Sequence, residues 1–182
     1  PGGGAGAFTH NAVTDSYANL TNPSKAGNSN VNIVNKAVVA NTSMSLQNGI
    51  DLRAIITANG SGSLTNATVS DNAQNFFNAR TGGSAYNAAN DYTGKTITIS
   101  TAATAAQYSA IKTELGGGGT ISSATVEDDV SGLKITNGVN VDLSGADSIK
   151  VTLDSNNKDL SSIDLENEVT IIDMASLSGV KG

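Results

Sequence analysis

The chain repeats itself at a nearly constant interval. The triplet Ala-Thr-Val occurs at 67–69 and again at 124–126. Three lysines that precede an apolar alternation recur at a similar spacing; they are Lys36, Lys95 and Lys150. A repeat of this length is typical of a supersecondary unit that buries its apolar face by stacking on its neighbours. The repeat therefore predicts a structural or binding module.

Strand and helix signals alternate within the repeats. Residues 96–100 alternate threonine and isoleucine, as in a half-buried strand, and residues 105–115 place apolar side chains at helical spacing before Gly116. Beyond residue 120 the patterned segments all predict strands. We therefore expect a mainly β fold: a repetitive, solenoid or sandwich-like body with short inserted helices. The expected divisions are an extended arm at 1–30 and a body at 31–182, with units near 36–94, 95–149 and 150–182.

Composition favours thin apolar layers over a thick core. The chain has no Trp and no Cys, and aromatic residues make up 4% of it. Layers of Val, Ile, Leu and Ala suit sheets and solenoids. Without cysteine the chain forms no disulfides. Cysteine-free chains are common among bacterial surface and virion proteins, so we expect an extracellular, cell-surface or virion location.

Charge distribution argues against a nucleic-acid partner. The net charge is −6; residues 1–119 carry five acids against six bases, whereas residues 120–182 carry eleven acids against four. Binding to a phosphate backbone requires clustered Lys and Arg. No stretch approaches the roughly 20 apolar residues of a membrane span. If Pro1 is the natural N-terminus, the sequence favours a chain exported without N-terminal cleavage or built into a virion.

Residues 1–30 are predicted to form an arm that contacts another subunit. Glycine dominates residues 1–6, and ordering such a segment costs much backbone entropy. Spaced apolar side chains follow it and are the expected subunit contacts: Phe8, Val13, Tyr17 and Leu20. For an isolated domain the alternative is a disordered tail. We expect the partner to be another copy of the chain or a capsid lattice.

Reactive constellations are lacking, so the sequence predicts no enzyme and no cofactor. His10 is the single histidine, and a metal or Ser-His-Asp site needs more partners than it has. The glycine run at 116–119 follows a predicted helix instead of preceding one, which excludes a phosphate loop. Asp128 and Asp129 are the calcium candidates, with solubilising surface acids as the alternative.

A loop at 80–94 supplies a candidate glycan site. Tyr86 and Tyr92 could stack on a sugar while the neighbouring Asn and Asp side chains hydrogen-bond its hydroxyls.

The order of strand, helix, glycine run and Thr120-Ile-Ser-Ser-Ala-Thr-Val-Glu-Asp-Asp129 resembles the degenerate repeats of bacterial type I secreted surface proteins and adhesins. The resemblance covers residues 36–155, and it implies a β-solenoid-like extracellular protein. The calcium-binding nonapeptides of that family are missing here, which puts calcium-dependent folding in doubt. Virion decoration and fibre proteins have a similar composition.

Two hypotheses of function follow. The first is a non-enzymatic structural subunit of a self-assembling surface structure, either a bacterial extracellular layer or filament or a phage virion, which assembles by sheet packing and an N-terminal arm. The alternative is an adhesin-type module that binds glycans. Sedimentation of the purified chain would separate the two, because only the first must form assemblies.

Overall fold

A computed structural model describes residues 12–22, 33, 35–80, 91–133, 142–153 and 169–173. The chain divides into two compact units, an N-terminal unit of residues 1–67 and a C-terminal unit of residues 68–182.

The N-terminal unit contains one three-stranded parallel sheet. Its elements are β1 (Ala12–Asp15), α1 (Tyr17–Thr21), β2 (Ala37–Ala40), α2 (Leu46–Ala58) and β3 (Ser63–Asn66). The strand order is β1-β2-β3, and the strands pair residue for residue without a bulge. Parallel neighbours cannot be joined by a tight hairpin, so the chain must cross over between strands. Helices α1 and α2 lie on these crossovers.

The C-terminal unit contains two further three-stranded parallel sheets, each with a register shift in one of its strand pairs. Its first sheet has the order β4-β5-β6 and its second has the order β7-β8-β9, and all pairs are parallel. The strands are β4 (Thr68–Asp71), β5 (Thr96–Ile99), β6 (Thr120–Ser123), β7 (Thr125–Asp129), β8 (Ser148–Thr152) and β9 (Val169–Asp173). The helices are α3 (Ala73–Ala79), α4 (Ala105–Leu115) and α5 (Val130–Leu133).

Each helix begins at a polar side chain that accepts the backbone N–H of the third residue along. This contact satisfies one of the amides that the first turn leaves without a helical partner. The capping residues are Ser16, Ser45, Asn72, Thr104 and Asp129. Thr104 and Gln107 form a reciprocal capping box, and α4 ends at Gly116, whose φ of 73° suits glycine.

The core of each sheet is a row of apolar side chains at one register position. Val38 in the N-terminal unit, Val69 and Ile97 in the first C-terminal sheet, and Val126 and Ile149 in the second are all buried. Strand residues on either side of this row face the opposite way, because side chains alternate along a strand. Many of them are Ser, Thr or charged, and Lys150 pairs with Glu127 at 3.0 Å across β7 and β8.

The prediction of a mainly β fold is confirmed only in part, because the fold is mixed. Among the described residues, three small parallel sheets are accompanied by five short helices, and they form neither a closed barrel nor a solenoid. The short inserted helices themselves are confirmed. The described residue Leu133, predicted in a strand, ends helix α5. In the described part of the chain no helix has the length and apolar character needed to cross a membrane.

Residues 12–21 do not form an extended arm. They make up β1 and α1, and β1 is the outer strand beside β2. Leu20 is buried in the core of its own unit, where Val13 and Tyr17 pack against the same cluster. These three side chains are therefore intramolecular contacts. Phe8, the fourth expected subunit contact, lies outside the described residues, as does His10.

The sheet boundaries locate the repeat. Both Ala-Thr-Val triplets mark the start of a new sheet, since Thr68 opens β4 and Thr125 opens β7. Lys36 and Lys95 directly precede the middle strands β2 and β5, whereas Lys150 lies inside β8. The carbonyl oxygen of each of the first two lysines accepts the N–H of the residue that opens the third strand. The backbone repeat thus begins one strand earlier than the lysines suggest.

Candidate functional site

Three strand-to-helix corners carry the most regular polar arrangement in the described part of the chain. The first corner (12–20) runs from β1 into α1, the second (68–76) from β4 into α3 and the third (125–133) from β7 into α5. The sequence at each corner reads Val-x-Asp, a capping residue, two further residues, then Asn or Gly and a buried apolar residue. That apolar residue is Leu20, Phe76 or Leu133, and each anchors its helix on the core.

The first corner is organised by Asp15. Its Oδ1 accepts the N–H of Ser16 at 2.7 Å and the side-chain amide of Asn19 at 2.7 Å. The hydroxyl of Ser16 in turn accepts the N–H of Asn19 at 3.3 Å. One carboxylate therefore holds the end of the strand and the first turn of the helix together.

The second corner repeats these contacts, with an asparagine in place of the capping serine. Asp71 Oδ1 accepts the N–H of Asn72 and the side-chain amide of Asn75, each at 2.8 Å. Asn72 Oδ1 accepts the N–H of Asn75 at 2.7 Å. The cap of this helix is therefore Asn72, and Asp71 supports it from the end of β4.

The third corner uses both acids proposed as calcium ligands. Asp128 Oδ1 accepts the N–H of Asp129 at 2.9 Å, and Asp128 Oδ2 accepts the N–H of Ala105 at 3.0 Å. Asp129 Oδ1 accepts the hydroxyl of Ser131 at 2.5 Å and the N–H of Gly132 at 2.7 Å. The hydrogen bond from the Ser131 hydroxyl lowers the pKa of the Asp129 carboxyl below its usual range, and the bond from the Gly132 amide lowers it further.

These contacts give Asp128 and Asp129 a capping role. Calcium needs six to eight oxygen ligands around one point. In the ranges that the structure describes, no group of three or more His, Cys, Asp or Glu residues is placed to hold a metal ion. The calcium assignment therefore gains no support from neighbouring ligands.

A second set of contacts secures the first amide of three helices. Thr42 Oγ1 accepts the N–H of Tyr17 at 3.2 Å, and Thr101 Oγ1 accepts the N–H of Ala73 at 3.0 Å. Both threonines lie just beyond the middle strand of their sheet. For α4 the acceptor is the carboxylate of Asp128 described above. A residue within or just beyond one strand thus fixes the first turn of a helix that follows another strand.

The position of these corners bears on function. In open α/β sheets, ligands bind outside the carboxyl ends of the strands. At the carboxyl ends of β1, β4 and β7, the Asp side chains hold the helices that follow. The Asp side chains at these strand ends therefore have a structural role, which is to stabilise the turn from strand to helix.

Tyr92 is a core residue and is not exposed for stacking on a sugar. It is fully buried, and its ring meets that of Phe76 edge to face with centroids 5.2 Å apart. Burial raises the pKa of its hydroxyl, and Glu114 adds to that rise while Arg80 opposes it. Among the described residues its Oη has no hydrogen-bond partner. Tyr86, the other glycan candidate, lies outside the described residues.

A cleft of about 530 Å³ lies beside α4 in the C-terminal unit. One wall is formed by α4, the glycine run after it contributes the rim, and residues 142–145 form the opposite wall. Its lining residues are Tyr108, Ser109, Lys112, Thr113, Leu115, Gly116, Gly117, Gly119, Thr120, Ile121, Asp142, Ser144 and Gly145. We call this cavity the α4 cleft.

Lys112 ties the two walls of the α4 cleft together. Its Nζ donates to Asp142 Oδ1 at 2.8 Å, to Ser144 O at 2.6 Å and to Ser144 Oγ at 2.5 Å. Tyr108 Oη also donates to Ser144 O, at 3.0 Å. The hydrogen bond from Lys112 lowers the pKa of the Asp142 carboxyl below its usual range, and the bond from Ser144 adds a smaller lowering. Sequence reasoning missed this group, because its members come from segments that are far apart in the chain and share no motif.

Comparison with known proteins gives no family: no family model matches the chain, and neither the curated proteins nor the solved structures include a significant match.

Proposed function

We propose that this chain is a non-enzymatic structural subunit of a self-assembling surface structure, either a bacterial extracellular layer or filament or a phage virion. The observation that supports it most is the repeated corner. Three strand ends at nearly equal spacing carry Asp15, Asp71 and Asp128, each bonded to the amide of the next residue. Because these Asp side chains bond to the backbone of their own repeat, they stabilise a unit that recurs along the chain, as expected of a structural protein.

The described part of the predicted arm does not supply the subunit contact. Val13, Tyr17 and Leu20 pack within their own unit, so they are not available to insert into a neighbour. Instead, β1 is an outer strand of its sheet and within the described residues it pairs with β2 alone. An outer strand presents backbone N–H and C=O groups to which another strand can add. We infer that the partner is a second copy of the chain.

The backbone pattern identifies which residue of β1 to change. The carbonyl of Asp15 accepts the N–H of Asn41, so Asp15 and, by alternation, Val13 bond towards β2. The N–H of Thr14 therefore points away from β2, towards the edge that no described strand covers. Proline at position 14 removes this outward donor and leaves the bonds to β2 in place.

The experiment compares sedimentation and electron microscopy of the unaltered chain, Thr14→Pro and Thr14→Val. We expect the unaltered chain and Thr14→Val, which keeps the amide, to form regular assemblies. Thr14→Pro should remain monomeric with an unchanged circular dichroism spectrum. If the unaltered chain stays monomeric at all concentrations, the structural role is refuted. If Thr14→Pro assembles normally, assembly occurs but not by strand addition at β1.

The alternative of a glycan-binding module at 80–94 loses one of its two tyrosines, because Tyr92 is inside the core. Glycan recognition at that loop is therefore not part of this proposal.

A further inference from the structure

The α4 cleft combines an apolar floor with a polar wall. Tyr108 and Leu115 are buried beneath it, and Ile121 is half-buried at the start of β6. On the opposite side stand Asp142 and Ser144, whose polar atoms are held by Lys112. Small-molecule sites usually have this character, with apolar surface for contact area and a few fixed polar groups for orientation.

The size and openness of the cleft suit a small ligand. Its volume of about 530 Å³ lies within the range of roughly 300–1,000 Å³ that is common for ligand sites. The rim at Gly116 and Gly117 carries no side chain, and a Cβ atom built at either position would meet no atom within 4 Å. Among the described residues, no side chain at this rim blocks the approach of a ligand from solvent.

The charges in the cleft argue against an ionic ligand. Lys112 has three N–H donors, and its Nζ already makes three hydrogen bonds to Asp142 and Ser144. All three donors of the Lys112 ammonium are thus used, and the carboxylate of Asp142, 2.8 Å away, neutralises its charge. An anion would face Asp142, and a cation would face Lys112.

Asp142 supplies the acceptor that a hydroxylated ligand needs. Its Oδ1 accepts bonds from Lys112 Nζ and from the amide and hydroxyl of Ser144. No hydrogen bond among the described residues uses its Oδ2, and the side chain is 62% exposed. A carboxylate held at one oxygen can accept from a ligand hydroxyl at the other.

We propose that the α4 cleft binds a neutral saccharide of one or two rings. The apolar face of the sugar ring would pack against the half-buried Ile121, and a ring hydroxyl would donate to Asp142. This inference is separate from the assembly proposal, because the cleft and β1 are in different units. Either can fail without the other.

The test measures saturation-transfer NMR and titration calorimetry on the full chain. The probes are glucose, galactose, mannose, N-acetylglucosamine and maltose, with glucosamine and N-acetylneuraminic acid as charged comparisons. We expect at least one neutral probe to bind, and the charged probes to bind more weakly. A preference for a charged probe, or the failure of every neutral probe to bind, would overturn the proposal.

Two glycine substitutions locate the binding. Gly117 lines the cleft and Gly118 does not, although both positions have open space around an added Cβ. Gly117→Leu should weaken binding by about tenfold or more, a loss of roughly 1.4 kcal/mol. Gly118→Leu should leave it unchanged, and thermal melting of both variants checks that they fold. Equal effects of the two substitutions would place the saccharide elsewhere and refute the site.

Discussion

The third corner has the same role as the first two with different chemistry. At the first and second corners an Asp carboxylate bonds the side-chain amide of an Asn in the first turn of the helix. At the third corner that Asn position is Gly132, and the carboxylate of Asp128 instead reaches the N–H of Ala105 in α4. The neutral caps Ser16 and Asn72 are likewise replaced by an ionised one, Asp129.

Crowding explains why glycine stands at this position. A Cβ atom added to Gly132 would collide with the carboxyl group of Asp128. In the other corners the Asn side chain is a partner of the carboxylate, whereas in the third the carboxylate occupies the space above the helix. The third corner therefore replaces the bond between the Asp carboxylate and an Asn side chain by a bond from Asp128 to the preceding helix α4. This exchange requires that the Asn position carry no side chain, as at Gly132.

The largest expected effect comes from the apolar anchor of a corner. Phe76→Ala should lower the free energy of unfolding by about 3–5 kcal/mol, because a fully buried ring leaves a cavity. Leu133→Ala should cost less, since a smaller side chain is lost. Urea unfolding followed by circular dichroism measures both. Phe77→Ala is the matched control, because that ring is only half-buried; an equal loss there would contradict the anchoring role of Phe76.

The collision at the third corner is tested with Gly132→Ala. We expect a loss of about 1–3 kcal/mol, because overpacking forces the carboxylate of Asp128 aside. In an Asp128→Ala background the same change should become neutral or stabilising, since alanine in a helix is favoured over glycine by about 0.5–1 kcal/mol. Urea unfolding of the four proteins in this cycle gives the coupling. Equal costs in both backgrounds would show that Asp128 is not the reason for the glycine.

The carboxylate at the second corner is expected to contribute about 1–2 kcal/mol. Asp71→Ala removes the acceptor for the N–H of Asn72 and for the side chain of Asn75. Hydrogen bonds to charged groups contribute about 1.5–3 kcal/mol, and the partial exposure of this corner places the expected loss at the lower end. Asn75→Ala should cost less, and the two changes together should cost less than their sum. Strict additivity in thermal or urea unfolding would mean that the pair is not coupled.

The smallest effect distinguishes the ionised cap from the neutral ones. Because the pKa of Asp129 is lower in the folded chain, its stabilisation is fully present above about pH 4 and is lost as pH falls through the lower folded value. The amide proton of Gly132 should therefore shift in an acid titration by NMR. In Asp129→Asn, which retains a neutral acceptor, that shift should vanish. If it persists, another group is responsible.

Much of the repeat was predictable from the sequence. The two Ala-Thr-Val triplets coincide with the starts of β4 and β7. The capping of α4 by Thr104 and its end at Gly116 also follow from local signals. Such features depend on residues close together in the chain, where capping and turn preferences act directly.

The errors lie where the decisive contacts are distant in sequence. Strand β1 is short, and its partner β2 begins only at Ala37, so nothing local separates β1 from an arm. Tyr92 sits among polar residues, yet it packs on Phe76 in the core. The α4 cleft joins Lys112 to Asp142, which belongs to a distant segment. The corner motif could have been identified from the sequence, because its Asp and apolar positions recur at nearly constant spacing.

Parallel pairing gives each sheet a definite response to mechanical tension. In the N-terminal unit β1, β2 and β3 run in the same direction and in the order of the chain. A pull on Ala12 and Asn66 therefore acts at opposite ends of the first and third strands. Under such a pull the strands would have to slide past one another, so their hydrogen bonds share the load together instead of opening one at a time.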